Sequence, residues 1–411
     1  MKKFVLSPVS GPAPDDPRHQ VPFMKFLFAS LLLLTIAYAP CSIGFSLPLK
    51  RRSLRITAAV LLFLLAIGMQ VILFTGILPR PALLPAAWLS GTLIFATPML
   101  FVRDVIVQVL RARGKKPGKA SMYAMAGILV LSGVLAALGE YCAVKPPQVK
   151  RLELPRDIPA GLDGFKIVYI SDTHISRTSS RNYLWTVVCR ANALRPDVIL
   201  LGGDLGDLKP DEIRANMHQL GDQHAKYGVY SSPGNHEYIR GFEEWLEFLD
   251  SVGIESLLNR HVVIEHNGAQ IVIAGVPDQA LNNSLYEGRE LPDLDKTLAG
   301  APEGAPVVLM AHKPQFAHDY SAYPIMLQLS GHTHGGMVAG LPALLVKLAN
   351  RGFVSGLYEV DGMTLYVSNG AGLWNGFMFR LGVPSEITEI TLRSTRTGQT
   401  APENGAETPQ N

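Results

Sequence analysis

The sequence predicts an α/β protein in two parts, four transmembrane helices followed by a two-sheet α/β/β/α domain. Three observations carry this. Long uncharged runs fill most of residues 26–145, strands alternate with helices after Gly164, and turn signals separate short strands further on. The expected organisation is an N-terminal segment (1–25), a transmembrane region (26–145), a soluble domain (150–394) and a polar tail (395–411) without aromatics, expected to be disordered.

The membrane part rests on four stretches, Phe26–Leu49, Ile56–Pro79, Pro81–Val102 and Ala120–Gly139. Each reaches the roughly 20 residues that cross a bilayer as a helix. A cleaved signal peptide does not fit the first, because it is long and three more runs follow. Basic residues cluster beside these runs. Lys50, Arg51, Arg52 and Arg55 lie in the first loop, only Arg80 in the second, and Arg103, Arg111, Arg113, Lys115, Lys116 and Lys119 in the third. The positive-inside rule then puts loops one and three in the cytoplasm and the soluble domain outside. Lys2, Lys3, Arg18 and Lys25 before the first run, and Lys145, Lys150 and Arg151 after the fourth, argue for the alternative, a domain on the cytoplasmic face. The segment Arg103–Lys119 reads either as a basic amphipathic helix along the interface or as a solvated loop. No acidic residue lies within the runs, so no ion relay is expected.

The net charge of +3 gives no case for a nucleic-acid partner, and the clustering of basic residues beside the apolar runs points instead to a membrane surface. The three cysteines, Cys41, Cys142 and Cys189, form no disulfide or thiolate pattern and read as hydrophobic filler.

In the soluble part, Phe165–Ser171, Asp197–Leu201 and Gly228–Ser232 read as strands, with helices from about Asn182 to Leu194 and Asp211 to Lys226 between them. This alternation predicts a parallel sheet. Val262–Glu265 with Gln270–Ala274, and Leu357–Val360 with Thr364–Val367, read as hairpins around Asn267-Gly268 and Asp361-Gly362. Val307–Ala311, Ile325–Leu329 and Ile387–Leu392 complete the strands, giving two sheets face to face with helices outside.

Five motifs follow strands in order: Asp172-Thr173-His174, Gly203-Asp204-Leu205-Gly206-Asp207, Gly234-Asn235-His236-Glu237, His312, and Gly331-His332-Thr333-His334. Singly, each has a bland reading. Asp172 caps a helix, Asn235 serves a turn, and His312 is a satisfied core histidine. Together they bring carboxylate, imidazole and amide oxygen to strand ends, where α/β sheets gather ligands. Such donors suit manganese, iron or zinc. The glycines before Asp204, Asn235 and His332 permit tight turns. Histidines 218, 224, 261, 266 and 318 match no motif.

This order resembles the calcineurin-like metallophosphoesterase superfamily over residues 172–334. The resemblance implies two divalent ions, one on Asp172, His174, Asp204 and His334, the other on Asp204, Asn235, His312 and His332, with Asp204 bridging. It implies that His236 faces the substrate as a catalytic residue, and that a metal-bridging hydroxide attacks phosphorus in line. Asp207 is expected to orient His236 by accepting its second ring proton. Glu237 is expected chiefly as a structural hydrogen-bond partner.

The stretch Arg380–Ile387 and Gly335-Gly336 are similar to a membrane-associated bacterial branch of the superfamily, although Met337 stands where glutamine is common. Lys313-Pro314 and Arg380 are additional candidates, Arg380 as a bidentate phosphate contact. The expectation is a multi-pass phosphoesterase of a bacterial inner membrane, acting on a phosphomonoester or phosphodiester of a lipid or envelope substrate. Gly372–Phe379 is a candidate lip touching lipid. The alternatives are cleavage of UDP-2,3-diacylglucosamine, favoured by a cytoplasmic domain, and a non-catalytic metal-binding scaffold.

Overall fold

The computed structural model describes residues 33–75, 80–176, 179–279, 288–373 and 377–396. The N-terminal segment 1–25, nearly all of the tail expected as disordered, and Trp374, Asn375 and Gly376 of the candidate lip therefore lie outside the described residues. The chain divides into two units, Met1–Ile72 with Pro85–Ala137, and Leu73–Leu84 with Leu138–Asn411.

Four helices come first: α1 (Leu33–Ser46), α2 (Arg52–Thr75), α3 (Arg80–Ala112) and α4 (Gly118–Ala143). Among the described residues, three segments are long and apolar enough to cross a membrane: Arg52–Leu73, Pro81–Ala112 and Gly118–Ala143. Three candidate spans thus stand where four were expected, because the first run is described only from Leu33 and α1 is a shorter apolar helix.

Helix α3 also runs past Val102, where the third span was expected to end. No glycine or proline interrupts it between Met99 and Ala112, and Gly114, at φ 72°, closes it by donating to Arg111 O at 2.9 Å. Residues 103–112 therefore continue helix α3 instead of forming a separate helix or loop. The longer helix brings in an acid, Asp104, which lies beyond the acid-free run Pro81–Val102. Asp104 accepts hydrogen bonds from Tyr38 (2.8 Å), Ser42 (2.6 Å) and Arg103 (2.6 Å), the pairing that a charge in an apolar setting requires. The cysteines also depart from expectation, since Cys41 and Cys189 are exposed.

The second unit holds two six-stranded sheets. In the first, β1 (Gln148–Arg156), β12 (Glu386–Ser394), β2 (Lys166–Ile170), β3 (Val198–Leu201), β4 (Val229–Ser231) and β5 (Glu255–Ser256) lie in that spatial order. Strands β2 to β5 run parallel, and β12 is antiparallel to β2. In the second sheet the order is β10 (Gly356–Val360), β11 (Met363–Val367), β9 (Leu327–Ser330), β8 (Val307–Met310), β7 (Ala269–Gly275) and β6 (Arg260–His266). Its central strands β7, β8, β9 and β11 are parallel, and a hairpin closes each edge.

The period of two along each strand separates the layers. On β2, Ile167 and Tyr169 pack between the sheets against Ile271, Ile273, Met310, Leu329 and Tyr366. Val168 and Ile170 face outward onto helices α5 (Arg181–Ala193), α6 (Pro210–Met217) and α8 (Phe242–Ser251), where Trp245 is fully buried. The outer face of the second sheet is covered around Phe316 and Tyr320, at α10 (Ala317–Tyr320). The result is the expected α/β/β/α stack. Both hairpin turns have positive φ at their central residues, 48° and 76° at Asn267-Gly268 and 49° and 89° at Asp361-Gly362, as mirror-image turns demand.

Candidate metal centre

Every motif residue sits just past the carboxyl end of a parallel strand. Asp172 and His174 follow β2, Asp204 and Asp207 follow β3, Asn235 opens α7 (Asn235–Ile239) after β4, His312 follows β8, and His332 and His334 follow β9. Backbone hydrogen bonds splice the first two loops together, from Asp172 N to Gly203 O (2.9 Å) and from His174 N to Asp204 O (3.0 Å).

The loops reach a common point through strained backbone. Asp172, His174, Asp204, His332 and His334 all have positive φ, between 44° and 68°, in the left-handed region that non-glycine residues seldom adopt. Such strain persists only where the surroundings over-determine it. Glycines leave the needed room. A Cβ on Gly234 would overlap Asp204 Oδ1 and stand 2.8 Å from His312 Cε1, and one on Gly331 would overlap Asp172 Oδ2.

Two trios of ligand atoms result, Asp172 with His174 and His334, and Asp204 with His312 and His332, each within 4.8 Å. In the first, His174 Nε2 lies 3.0 Å from His334 Nε2, and His334 Nε2 lies 3.7 Å from Asp172 Oδ1. In the second, His312 Nε2 lies 3.2 Å from Asp204 Oδ2, while His312 Nδ1 is held 2.7 Å from Gly202 O. Asp204 Oδ2 is also 3.8 Å from His174 Nε2, so one carboxylate stands between the trios. His236 N donates to the other oxygen of that carboxylate at 2.8 Å.

Electrostatics favour a cation here. Burial would lower the imidazole of His174, but Asp207, Asp204 and Asp172 outweigh it and hold it at about 9. Burial acts likewise on His312, and Asp204 and Asp172 raise it to about 10. Burial, together with neighbouring cationic groups, keeps His332 and His334 well below the usual imidazole range. The residues present also fit a metal by donor type. Asp172 Oδ2 and Asn235 Oδ1 are buried without a hydrogen-bond partner in the protein, a costly state for oxygen unless something else meets it.

Beside the trios stands a third group. Asp207 Oδ1 lies 2.8 Å from His174 Nδ1 and 2.8 Å from His236 Nδ1. Glu237, whose structural reading was favoured, accepts three backbone hydrogen bonds, from Asp204 N (2.9 Å), Leu205 N (2.7 Å) and Gly234 N (2.7 Å). It ties the β3 loop to the β4 loop.

Comparison with known proteins decides the family. The family profile of calcineurin-like phosphoesterases matches residues 165–336. An uncharacterised metallophosphoesterase of Campylobacter jejuni is 34% identical over 269 residues, 65% of this chain and 68% of that protein. The chain belongs to the calcineurin-like metallophosphoesterases. An uncharacterised metallophosphoesterase of Bacillus subtilis is 32% identical over 58% of this chain and 82% of that protein. A zebrafish transmembrane protein with a metallophosphoesterase domain is 35% identical over 64% of this chain, and the match spans 62% of the zebrafish protein. The family is one of metal-dependent phosphoesterases, and this chain carries, among its described residues, clusters of histidine and aspartate that could hold metal and three candidate membrane spans.

Two additional candidates occupy places that the sequence did not foretell. Arg380, expected at a substrate phosphate, is fully buried. Its guanidinium donates to Asn369 O (2.8 Å) and Gly372 O (2.8 Å) and lies 3.3 Å from His334 Nδ1. A guanidinium committed to carbonyls behind a histidine ring positions the loop instead of presenting a fork to solvent. Lys313 pairs with Asp278 Oδ2 at 2.5 Å. Glu386 was missed. It accepts from Asn369 N (3.1 Å) and Nδ2 (3.0 Å), fixing the loop that Arg380 grips. It was hidden because it opens a strand, where a buried acid has no sequence signature.

Proposed function

We propose that this chain is a membrane-anchored, metal-dependent phosphoesterase that cleaves a phosphomonoester or phosphodiester of a lipid or envelope substrate. The pair of ligand trios, the second containing Asp204, in a chain that also carries three candidate spans among its described residues, is the observation that carries the reading. Asp172, His174, Asp204 and His334 would hold one ion, and Asp204, Asn235, His312 and His332 the other, with manganese, iron or zinc fitting the donors. When bound, such ions supply a nucleophile at neutral pH and neutralise charge on the phosphoryl oxygens.

The remaining work falls to side chains. The Nδ1 of His236 faces Asp207, which leaves Nε2 to stabilise charge on the substrate or to protonate the leaving oxygen. Asp207 orients that ring and, through the same oxygen, the ring of His174. Arg380 acts as a positioning residue for the His334 loop.

One loop supports a domain outside the cytoplasm, the orientation proposed. The connection between α3 and α4 carries Arg113, Lys115 and Lys116, so the positive-inside rule puts it in the cytoplasm, and α4 then takes the domain outside. This argument does not depend on whether the first apolar run crosses, since only α4 separates that loop from the domain. The membrane proposed is a bacterial inner membrane. The substrate class is tested by assaying purified protein on soluble aryl monoesters and diesters, on phospholipid phosphoesters in mixed micelles, and on UDP-2,3-diacylglucosamine. Preference for a lipid phosphoester supports the reading. Equal or better turnover of soluble esters alone would remove the lipid from it.

A further inference from the structure

Helix α11 (Leu341–Ala349) lies in the second unit, outside the candidate spans, yet it is built almost wholly of apolar residues and buries none of them. Leu341, Leu344 and Leu348 are 67%, 50% and 61% exposed. Their spacing of three and four residues puts them on one stripe. Scattered exposed leucines are ordinary on a soluble domain, but three on one helical face are not. Exposed Lys347 borders the stripe, one position along the wheel from Leu344. A leucine face with a basic margin is the composition of a helix lying in a headgroup boundary.

This helix is joined directly to the metal centre. It begins seven positions after His334, and Ala343 packs so closely on Gly336 that a Cβ there would overlap the Ala343 backbone. Ala343 N donates to Val338 O at 3.2 Å, and Ala339 N to Leu381 O at 2.9 Å, so the turn between loop and helix is pinned. What holds α11 therefore also holds the loop that carries His332 and His334.

We propose that α11 is a bilayer-docking helix, whose Leu341–Leu344–Leu348 face enters the acyl boundary of the membrane and sets the metal centre at the level of lipid headgroup phosphates. The occupant of the face is a lipid surface. The same chain supplies that surface by tethering, because α4 ends at Ala143 and β1 begins at Gln148. A short tether makes the local concentration of bilayer high, so a weak docking face suffices. The proposal rests on the membrane-substrate reading above and deepens it by naming the surface that meets the lipid.

The test uses the full chain reconstituted in vesicles of phosphatidylcholine and phosphatidylglycerol. Cys41, Cys142 and Cys189 are replaced by serine, and Leu344→Cys carries an environment-sensitive fluorophore. Nitroxide-bearing lipids are expected to quench the label at least twofold, with blue-shifted emission. Adding Leu341→Ser and Leu348→Ser is expected to abolish most of that quenching. Chelator-sensitive hydrolysis of a soluble aryl phosphate is followed in the same samples and is expected to change less than twofold, because no α11 side chain belongs to the metal centre. A label that emits as in water and ignores nitroxide lipids overturns docking while leaving hydrolysis, and hence the catalytic reading, intact. Quenching between labelled copies in place of quenching by lipid assigns the face to a second copy and also overturns the proposal. Lipid quenching without any metal-dependent hydrolysis would retain the docking face and remove the enzymatic reading on which its purpose rests.

Discussion

His236 Nδ1 and Asp207 Oδ1 are 2.8 Å apart, and that same oxygen is 2.8 Å from His174 Nδ1. One carboxylate oxygen therefore lies against both a ring of the proposed ligand set and a ring proposed to face substrate. Burial opposes its charge, but His174 and His236 hold Asp207 at about 2. Its stabilising contribution is complete above the ordinary carboxylate pKa near 4 and is lost as pH falls through about 2. Asp207→Asn should lower both activity and metal affinity by about 10- to 100-fold, as loss of an orienting partner does. Unchanged kcat with unchanged metal content would refute the shared role.

Metal affinity should depend on pH. His174 and His312 titrate at about 9 and about 10, raised by the facing carboxylates against burial. Below those values a metal must displace their protons, so apparent affinity should rise with pH, by up to about tenfold per unit for each proton released. Titration with manganese or zinc at pH 6, 7 and 8 checks this. A flat profile would mean that these rings do not compete with metal.

Glycine substitutions should strip metal without unfolding the domain. Gly234→Ala places a methyl against Asp204 and His312, and Gly331→Ala places one against Asp172. Bound metal measured by elemental analysis should fall several-fold in both, with the circular dichroism of the domain retained.

Arg380 offers a contrast between binding and positioning. Arg380→Lys leaves the Asn369 and Gly372 carbonyls imperfectly paired in a buried place, at about 1–3 kcal/mol for each group left unsatisfied. The expected result is a lower unfolding midpoint together with reduced metal retention. A raised KM alone, at unchanged stability, would restore the phosphate contact expected from the sequence.

Cys189 reports the side of the membrane. It is exposed on α5 in the second unit. With Cys41 and Cys142 changed to serine, an impermeant maleimide should label it in intact spheroplasts. Labelling only after permeabilisation would place the domain in the cytoplasm.

Much of this architecture was legible because it rests on local chemistry. The strands carrying Ile167–Ile170 and Val198–Leu201 are buried on both faces and read as apolar runs, and the Asn-Gly and Asp-Gly turns announce hairpins. Other elements left fainter marks. Strand β1 was missed because it is an edge strand, half exposed, carrying Lys150, Arg151 and Pro155, and paired on one side only. Helix α11 was missed because a nine-residue run with Lys347 as its one polar residue has no polar face to reveal its period. The length of α3 was missed because charge at Arg103 and Asp104 looked like a span boundary, whereas Tyr38 and Ser42 meet Asp104, and Ser46 and Ser121 meet the terminal nitrogens of Arg103. At the centre, the motifs pointed to residues that the structure gathers into clusters able to hold metal, but to few of the contacts that support them. The motif marked Glu237 as a structural partner but not which three backbone N–H groups it grips, and the grip of Glu386 on Asn369 is a tertiary fact with no motif of its own.

The most direct test separates metal binding from chemistry. Purified full-length protein is assayed on an aryl phosphoester with manganese, zinc or chelator, beside Asp204→Ala and His236→Ala, and each sample is analysed for metal. Hydrolysis should require metal. Asp204→Ala should lose both metal and activity, whereas His236→Ala should keep its metal and lose about 100-fold or more of its rate. Hydrolysis that survives chelation, or a His236→Ala protein as active as the parent with metal bound, would contradict the account.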